Sequence, residues 1–562
     1  MVGRREWLKK TGLGVGVVAL GCGDDDGIAD AGPADAGTDA AVADAGFDAG
    51  FDAGFDAGPV PVPDIPFGFG FGVASGDPLA DAVILWTRYL PETPPETLDV
   101  DWTVARDAGL ADVVQTGTFT TGADRDWTVK VDVVGLDPGT TYYYQFAMGA
   151  ESSPIGRTRT APAGSIDRLR FGIVSCSSYA HGYFHVYRHL AEQADLDGIL
   201  HLGDYIYEYG DGEFGGFRQY DPPTEILTLS DYRTRYQVYR LDPDLQAVHQ
   251  QHPFVCIWDD HETANNAWRG GAENHTPGVE GVWTERIAAA YQAYIEWMPI
   301  REQEELRIWR SFEYGDLMQL IMLDTRVWGR DEQVSAAMRN DDTRTLLGAD
   351  QEAWFAERME AGAAPWRVIG QQVMLGNWDS TDEEEGFIPI NLDQWDGYTP
   401  ARARMFDAFE SIEDNVVVLT GDIHSHWAME LTRDPHDAEV YDAATSSGSL
   451  GVEFVASSVT SPGAPGVIGM ALEMSALEAN PHIRYVNFRM RGYIVLDITR
   501  DAVTADYWIV DGVFAGEESQ MRATSYRVAA GTNRLEESEG TTARATAPEL
   551  APGAPPRDHI IR

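Results

Sequence analysis

Basic residues are scarce in this 562-residue chain: 41 Lys and Arg face 90 Asp and Glu, a formal net charge of −49. Such a chain has nothing to offset repulsion from a phosphate backbone, which excludes general nucleic-acid binding. The ordinary reading of the acid is a solvated surface, suited to a salty or exported setting. Cysteine is rarer still. Cys22, Cys176 and Cys256 are too few for a disulfide framework. A Cys176–Cys256 bridge is compatible with an oxidising compartment, and a buried inert thiol is the alternative for each. No Gly-x-Ser-x-Gly elbow occurs, which counts against a serine hydrolase. The apolar run Leu13 to Leu20 is far too short to span a bilayer. Apolar residues are not lacking, however: hydrophobic content of 44% and 16 tryptophans exclude a wholly disordered chain, and the length suits two or three domains.

The N-terminus speaks to compartment. Arg4-Arg5 ahead of the Leu13–Leu20 run has the layout of a twin-arginine export signal. The run ends in Ala19-Leu20-Gly21-Cys22, similar to a lipobox in which Cys22 becomes the lipidated N-terminus; cleavage by ordinary signal peptidase is the competing case. Residues 1–22 are therefore expected to be an export signal, giving a periplasmic or cell-surface lipoprotein whose membrane contact is a lipid on Cys22. Residues 23–64 hold no Lys or Arg and repeat Phe-Asp-Ala-Gly three times from Phe47 to Gly58. Their composition cannot bury a core and reads as an acidic tether.

Two regions follow. Residues 65–162 show short strands near Val83–Thr87, Val100–Ala105, Val113–Thr120, Trp127–Val134 and Thr141–Ala147, separated by Gly, Asp and Pro turns. This is the spacing of a fibronectin- or Ig-like β-sandwich, with Tyr142 expected to make a corner hydrogen bond. Residues 163–515 alternate strands and amphipathic segments, the pattern of an α/β domain, and 516–562 are expected as a C-terminal tail.

Polar residues gather after the α/β strands, where such sheets expose their ends to ligands. Ser175-Cys176-Ser177-Ser178 follows 169–174, and Gly203-Asp204-Tyr205-Ile206-Tyr207 follows 198–202. Asp259-Asp260-His261-Glu262, with Asn265-Asn266, follows 254–258; Gly421-Asp422-Ile423-His424-Ser425-His426 follows 416–419. Asp204 with Tyr207 three residues later can place two anionic oxygens on one ion. A phenolate suits a hard, highly charged ion such as Fe(III) better than Zn(II) or Ca(II).

These motifs, with Phe71-Gly72-Val73-Ala74-Ser75-Gly76-Asp77-Pro78, Leu85-Trp86-Thr87-Arg88, Leu323-Asp324-Thr325-Arg326, Trp395-Asp396-Gly397-Tyr398 and the run Glu453 to Gly463, resemble the PhoD-like alkaline phosphatases of the calcineurin-like metallophosphoesterase superfamily. The resemblance covers roughly residues 67–515. It implies an αββα metallophosphoesterase sandwich behind the N-terminal β-sandwich, and hydrolysis of phosphoesters by a metal-bound hydroxide attacking phosphorus in line. It also implies an Fe(III) and Ca(II) centre, in which Asp204 bridges the ions and Cys176, as thiolate, and Tyr207 bind iron. Asp260, Asn266, Asp422 and His424 complete the ligand set, the added carboxylates favouring Ca(II). His261 contacts the phosphate or assists the leaving group. Gln371 stands where the wider superfamily has a ligating histidine. Asp324-Thr325-Arg326 reads equally as a structural ion pair or a phosphate contact; Glu262 and His426 read as supporting groups, Tyr205 and Tyr209 as packing aromatics. The substrates implied are small phosphomonoesters, with a phospholipase D-type phosphodiesterase acting on phospholipid or other diesters as the alternative. A non-catalytic, calcium-binding surface lipoprotein is the alternative from another class.

Overall fold

The computed structural model describes residues 58–380, 388–412 and 415–555. The export signal, Cys22 and the tether up to residue 57 lie outside the described residues.

Two mixed sheets lie face to face. The larger has ten strands, in the spatial order Leu535–Glu537, Gln520–Ala529, Ala502–Val510, Gly492–Thr499, Arg168–Val174, Gly198–His201, Pro253–Cys256, Val73–Gly76, Ala82–Arg88 and Thr128–Val134. The smaller has seven, ordered Arg310–Tyr314, Met318–Met322, Trp366–Gly370, Val416–Thr420, Gly451–Val455, His426–Leu431 and Ile483–Asn487. The central strands of each sheet run parallel. Side-chain alternation explains the double layer. Leu320, Met322, Val417 and Leu419 meet Phe171, Ile173 and Leu200 between the sheets. Ile321, Val416 and Val418 point outward onto Phe355, Met359, Phe406 and Phe409 of the helices Gly348–Ala361 and Thr399–Glu410. Strands apolar on both faces read as unbroken hydrophobic runs, which is why they stood out in the sequence.

The helices start where local chemistry dictates. Helix Leu229–Tyr239 opens on a capping box between Thr228 and Asp231; helix Pro243–Gln251 opens on Asp242, whose carboxylate accepts from the N–H groups of Asp244 and Leu245. Both lie among the aromatic and aliphatic side chains that also cover the larger sheet. No helix among the described residues is long and apolar enough to cross a membrane.

The N-terminal β-sandwich forms as expected, with a difference in ownership. Its outer sheet comprises Val113–Gly122, Thr97–Ala105, Thr141–Met148 and Glu151–Ser152, with Gly156–Arg159 also paired to Thr141–Met148. Its inner layer is the far edge of the ten-stranded sheet. Val83 and Leu85 face the sandwich core while Trp86 faces the main core of the larger sheet. Tyr142 does make the corner bond, accepting from the Asp137 N–H at 2.9 Å.

Among the described residues, 516–555 are not a tail. Gln520–Ala529 and Leu535–Glu537 extend the large sheet, and Arg544 ion-pairs with Asp197 at 2.5 Å. The proposed disulfide is absent as well: Cys176 and Cys256 are both free and buried.

Candidate metal centre

The loops after Arg168–Val174, Gly198–His201, Pro253–Cys256 and Val416–Thr420 converge at one end of the two sheets. Backbone bonds lock them together: Cys176 N–H donates to Gly203 O (3.1 Å) and Ser177 N–H to Asp204 O (2.9 Å). Glu262 ties two loops by accepting from the N–H groups of Asp204 (3.1 Å), Tyr205 (2.7 Å) and Asp259 (2.8 Å). Left-handed backbone concentrates here. Cys176 (φ 59°), Asp204 (56°), Asn266 (51°), Asp422 (63°) and His424 (53°) all adopt a conformation that L side chains avoid. Each costs roughly 1–3 kcal/mol and persists only where the surroundings over-determine it, a mark of functional sites.

Three overlapping groups result, each with ligand atoms within 4.8 Å of one another: Cys176, Asp204 and His424; Asp204, Asp260 and His261; and Asp259, Asp260 and Asp422. Tyr207 joins the first, its hydroxyl donating to Asp204 Oδ2 at 2.9 Å and lying 3.3 Å from His424 Nε2. The other Asp204 oxygen, Oδ1, is buried with no hydrogen-bond partner, as is Asp259 Oδ2. A buried carboxylate oxygen is expensive without a compensating donor or cation. Burial first, and then the neighbouring carboxylates against the pull of His261 or Arg326, push Asp204 and Asp259 well above the usual carboxylate range. Burial and the Asp204 charge push the Cys176 thiol up. Arg326 is the fixed cation among these acids. It binds Asp259, Asp393 (2.6 Å) and Asp422 (2.5 Å) and stands 3.5 Å from Asp260. One guanidinium does not neutralise Asp204, Asp259, Asp260, Asp422 and a thiol. The donor set of carboxylates, thiol, phenol and imidazole fits bound cations.

The structure thus brings together Cys176, Asp204, Tyr207, Asp260, Asp422 and His424, with His261 beside them. Asn266 meets the group differently from expectation: its backbone N–H donates to Asp260 (2.6 Å), while its side-chain amide donates to Glu273 (2.5 Å). His261 stacks on Tyr207, with centroids 4.2 Å apart, and its Nδ1 lies 2.7 Å from Glu208. Burial opposes its protonation, but Glu208, Asp260 and Asp204 outweigh burial and hold its pKa well above the ordinary value. Arg326 resolves as an ion-pair hub. Gln371 accepts from the Trp395 indole (2.8 Å) and His426 from the Ser457 N–H (3.0 Å), both packing roles. Tyr205 faces His249 (2.9 Å), and Cys256 is a buried strand thiol. Sequence reasoning passed over Asp259 and Glu208. Asp259 was visible as the first of two adjacent acids, and Glu208 as the acid closing Asp204–Glu208; neither carried a spacing signal of its own.

Comparison with known proteins agrees with this geometry. The model of the PhoD-like phosphatase family matches residues 171–507, and that of the N-terminal domain of PhoD-like phosphatases matches 63–162. The chain belongs to the PhoD-like phosphatase family. Alkaline phosphatase D of Bacillus subtilis (strain 168) is 39% identical over 471 residues, spanning 79% of this chain and 78% of that protein. A solved structure of PhoD superposes with a TM-score of 0.78 at 35% identity, covering 86% of this chain and 95% of that one. The chain is accordingly a metal-dependent phosphoric ester hydrolase with a metallophosphoesterase-like fold. The non-catalytic alternative falls away.

Proposed function

We propose that this protein is an exported alkaline phosphatase of small phosphoesters, working through an Fe(III)–Ca(II) centre at the strand ends. The observation that carries the reading is the partnerless Asp204 Oδ1 inside the group of Cys176, Asp204 and His424. Asp204 is shared by the group holding Cys176 and the group holding Asp260, so its carboxylate would be suited to lie between an iron and a calcium site. Cys176, Tyr207 and His424 would hold iron, a thiolate and a phenolate matching a trivalent ion. Asp259, Asp260 and Asp422 would hold the calcium, oxygen donors matching a hard divalent ion. Bound ions of this kind supply positive charge that activates water and offsets charge on the attacking and leaving oxygens.

The chain's own groups do the rest. Glu208 is locked by the Asn265 N–H (2.6 Å) and the Asn274 amide (2.8 Å) and fixes the His261 ring. With its Nδ1 on Glu208, His261 is placed to donate a proton to the departing oxygen. Tyr207 and Tyr209 wall that ring on the side of the loop 209–219. The twin-arginine motif supports export, and Ala19-Leu20-Gly21-Cys22 supports a lipid anchor.

The test is Asp204→Asn, assayed on p-nitrophenyl phosphate and bis(p-nitrophenyl) phosphate. Loss of both activities together with metal content is expected. Unchanged turnover and metal content would remove the centre from the reaction. The wild-type ratio of the two rates separates the phosphatase from the phosphodiesterase reading.

A further inference from the structure

We propose that Arg491 is the residue that binds the substrate's phosphoryl oxygens. The need arises from Arg326. Its guanidinium is consumed by Asp259, Asp393 and Asp422, so it is not free to receive an anionic substrate. Arg491 stands at the start of strand Gly492–Thr499, antiparallel to Arg168–Val174. The register pairs Ile494 with Ile173; beyond it the Gly492 N–H donates to Ser458 O (3.0 Å) and Ser458 bridges to Ser175, so the segment Ser458–Ser461 joins the start of this strand to the Cys176 loop. Its Nε donates to Thr460 O (2.9 Å), and its carbonyl accepts from the Val510 N–H (3.0 Å), so backbone and side-chain stem are both fixed. The adjoining Ser461 lies 2.7 Å from the Tyr207 hydroxyl and 3.1 Å from Cys176 O. The Thr460–Ser461 step therefore couples Arg491 directly to the iron-side ligands.

Arg491 is in no ion pair among the described residues, and Glu517 acts on it only through its longer-range charge. Its terminal nitrogens hold no hydrogen bond there, unlike those of Arg326. In a chain of net charge −49, a half-buried guanidinium fork without a carboxylate partner, beside the metal-ligand loops, has the chemistry to take a phosphate dianion in two parallel bonds.

The inference rests on the strand-end centre being the reaction site, and the experiment separates the two claims. Full-length Arg491→Ala and Arg491→Lys proteins are compared with wild type for KM and kcat on p-nitrophenyl phosphate, inhibition by inorganic phosphate, and metal content. Asp204→Asn serves as the check on the centre itself. Removal of a charge-assisted pair predicts a KM and a phosphate inhibition constant raised about 10- to 100-fold in the alanine variant. Metal content should be unchanged, and lysine should restore part of the loss. An unchanged phosphate inhibition constant in a metal-replete Arg491→Ala protein overturns the proposal while leaving the centre standing. So does loss of metal in both variants, which would mark Arg491 as structural.

Discussion

Replacing Gly203 by alanine should drive two ligand-bearing loops apart. Gly203 has φ +110°, and the Cβ that alanine adds would stand 2.3 Å from Asp259 Cβ, 2.7 Å from its nitrogen and 3.0 Å from its Cα. Ordinary contact begins at 3.4 Å, and the obstructing atoms belong to backbone and a fixed Cβ rather than to a flexible tip. The Asp259 loop must therefore retreat by roughly 1 Å, a misplacement that costs about 100-fold in rate when it moves catalytic groups. The backbone conformation adds roughly 1–3 kcal/mol of strain. The expectation is a kcat/KM on p-nitrophenyl phosphate down about 100-fold, with reduced metal content and a lower unfolding midpoint. Gly135→Ala is the control. Its φ is +78° with nothing within 4 Å of the added Cβ, so it carries strain without the clash and should keep wild-type turnover. A folded Gly203→Ala protein with wild-type kcat/KM and full metal content would refute the side-by-side placement of the Asp204 and Asp259 loops.

Arg326→Met removes the cation shared by Asp259, Asp393 and Asp422 and should cost about 3–5 kcal/mol of stability in chemical denaturation; a loss below about 1 kcal/mol would mean that solvent or ions already screen those acids. The second expectation concerns pH. Burial foremost raises Asp204 and Asp259 in the fold above their unfolded values. The metal-stripped fold thus binds more protons than the unfolded chain above the ordinary carboxylate range, and its stability falls as pH rises through that window. Unfolding midpoints with and without chelator should differ more at pH 8 than at pH 5, and a gap equal at both, or larger at pH 5, would contradict the shifts.

Much of the site was legible because its residues follow apolar strands buried on both faces. Val416–Thr420 and Gly198–His201 read as strands from composition alone, and the polar residues after them fell where a parallel sheet opens. What stayed hidden depends on long-range pairing. Nothing local in Val73–Gly76 announces that it lies parallel to Pro253–Cys256, which makes the N-terminal strands part of the catalytic sheet. Gln520–Ala529 is polar enough to read as tail because much of its first half faces solvent. Left-handed backbone at Cys176, Asp204 and Asp422 is equally silent, since no glycine marks it. Asp259 and Asp260 could not be apportioned from sequence. Adjacent residues point apart, and only the fold shows that Asp259 reaches Arg326 while both acids share one group with Asp422. Arg491 lay outside every motif; only the pairing of its strand start with Ser458, and its own bond to Thr460 O, bring it to the Cys176 loop.

The central claim, that Cys176 and Tyr207 bind iron beside a calcium held by carboxylates, is tested most directly by elemental analysis of the purified protein with its visible absorption spectrum. Iron and calcium should both be present, with a charge-transfer band that shifts or disappears in Tyr207→Phe and Cys176→Ser. A colourless, iron-free preparation that hydrolyses phosphoesters at full rate would contradict it.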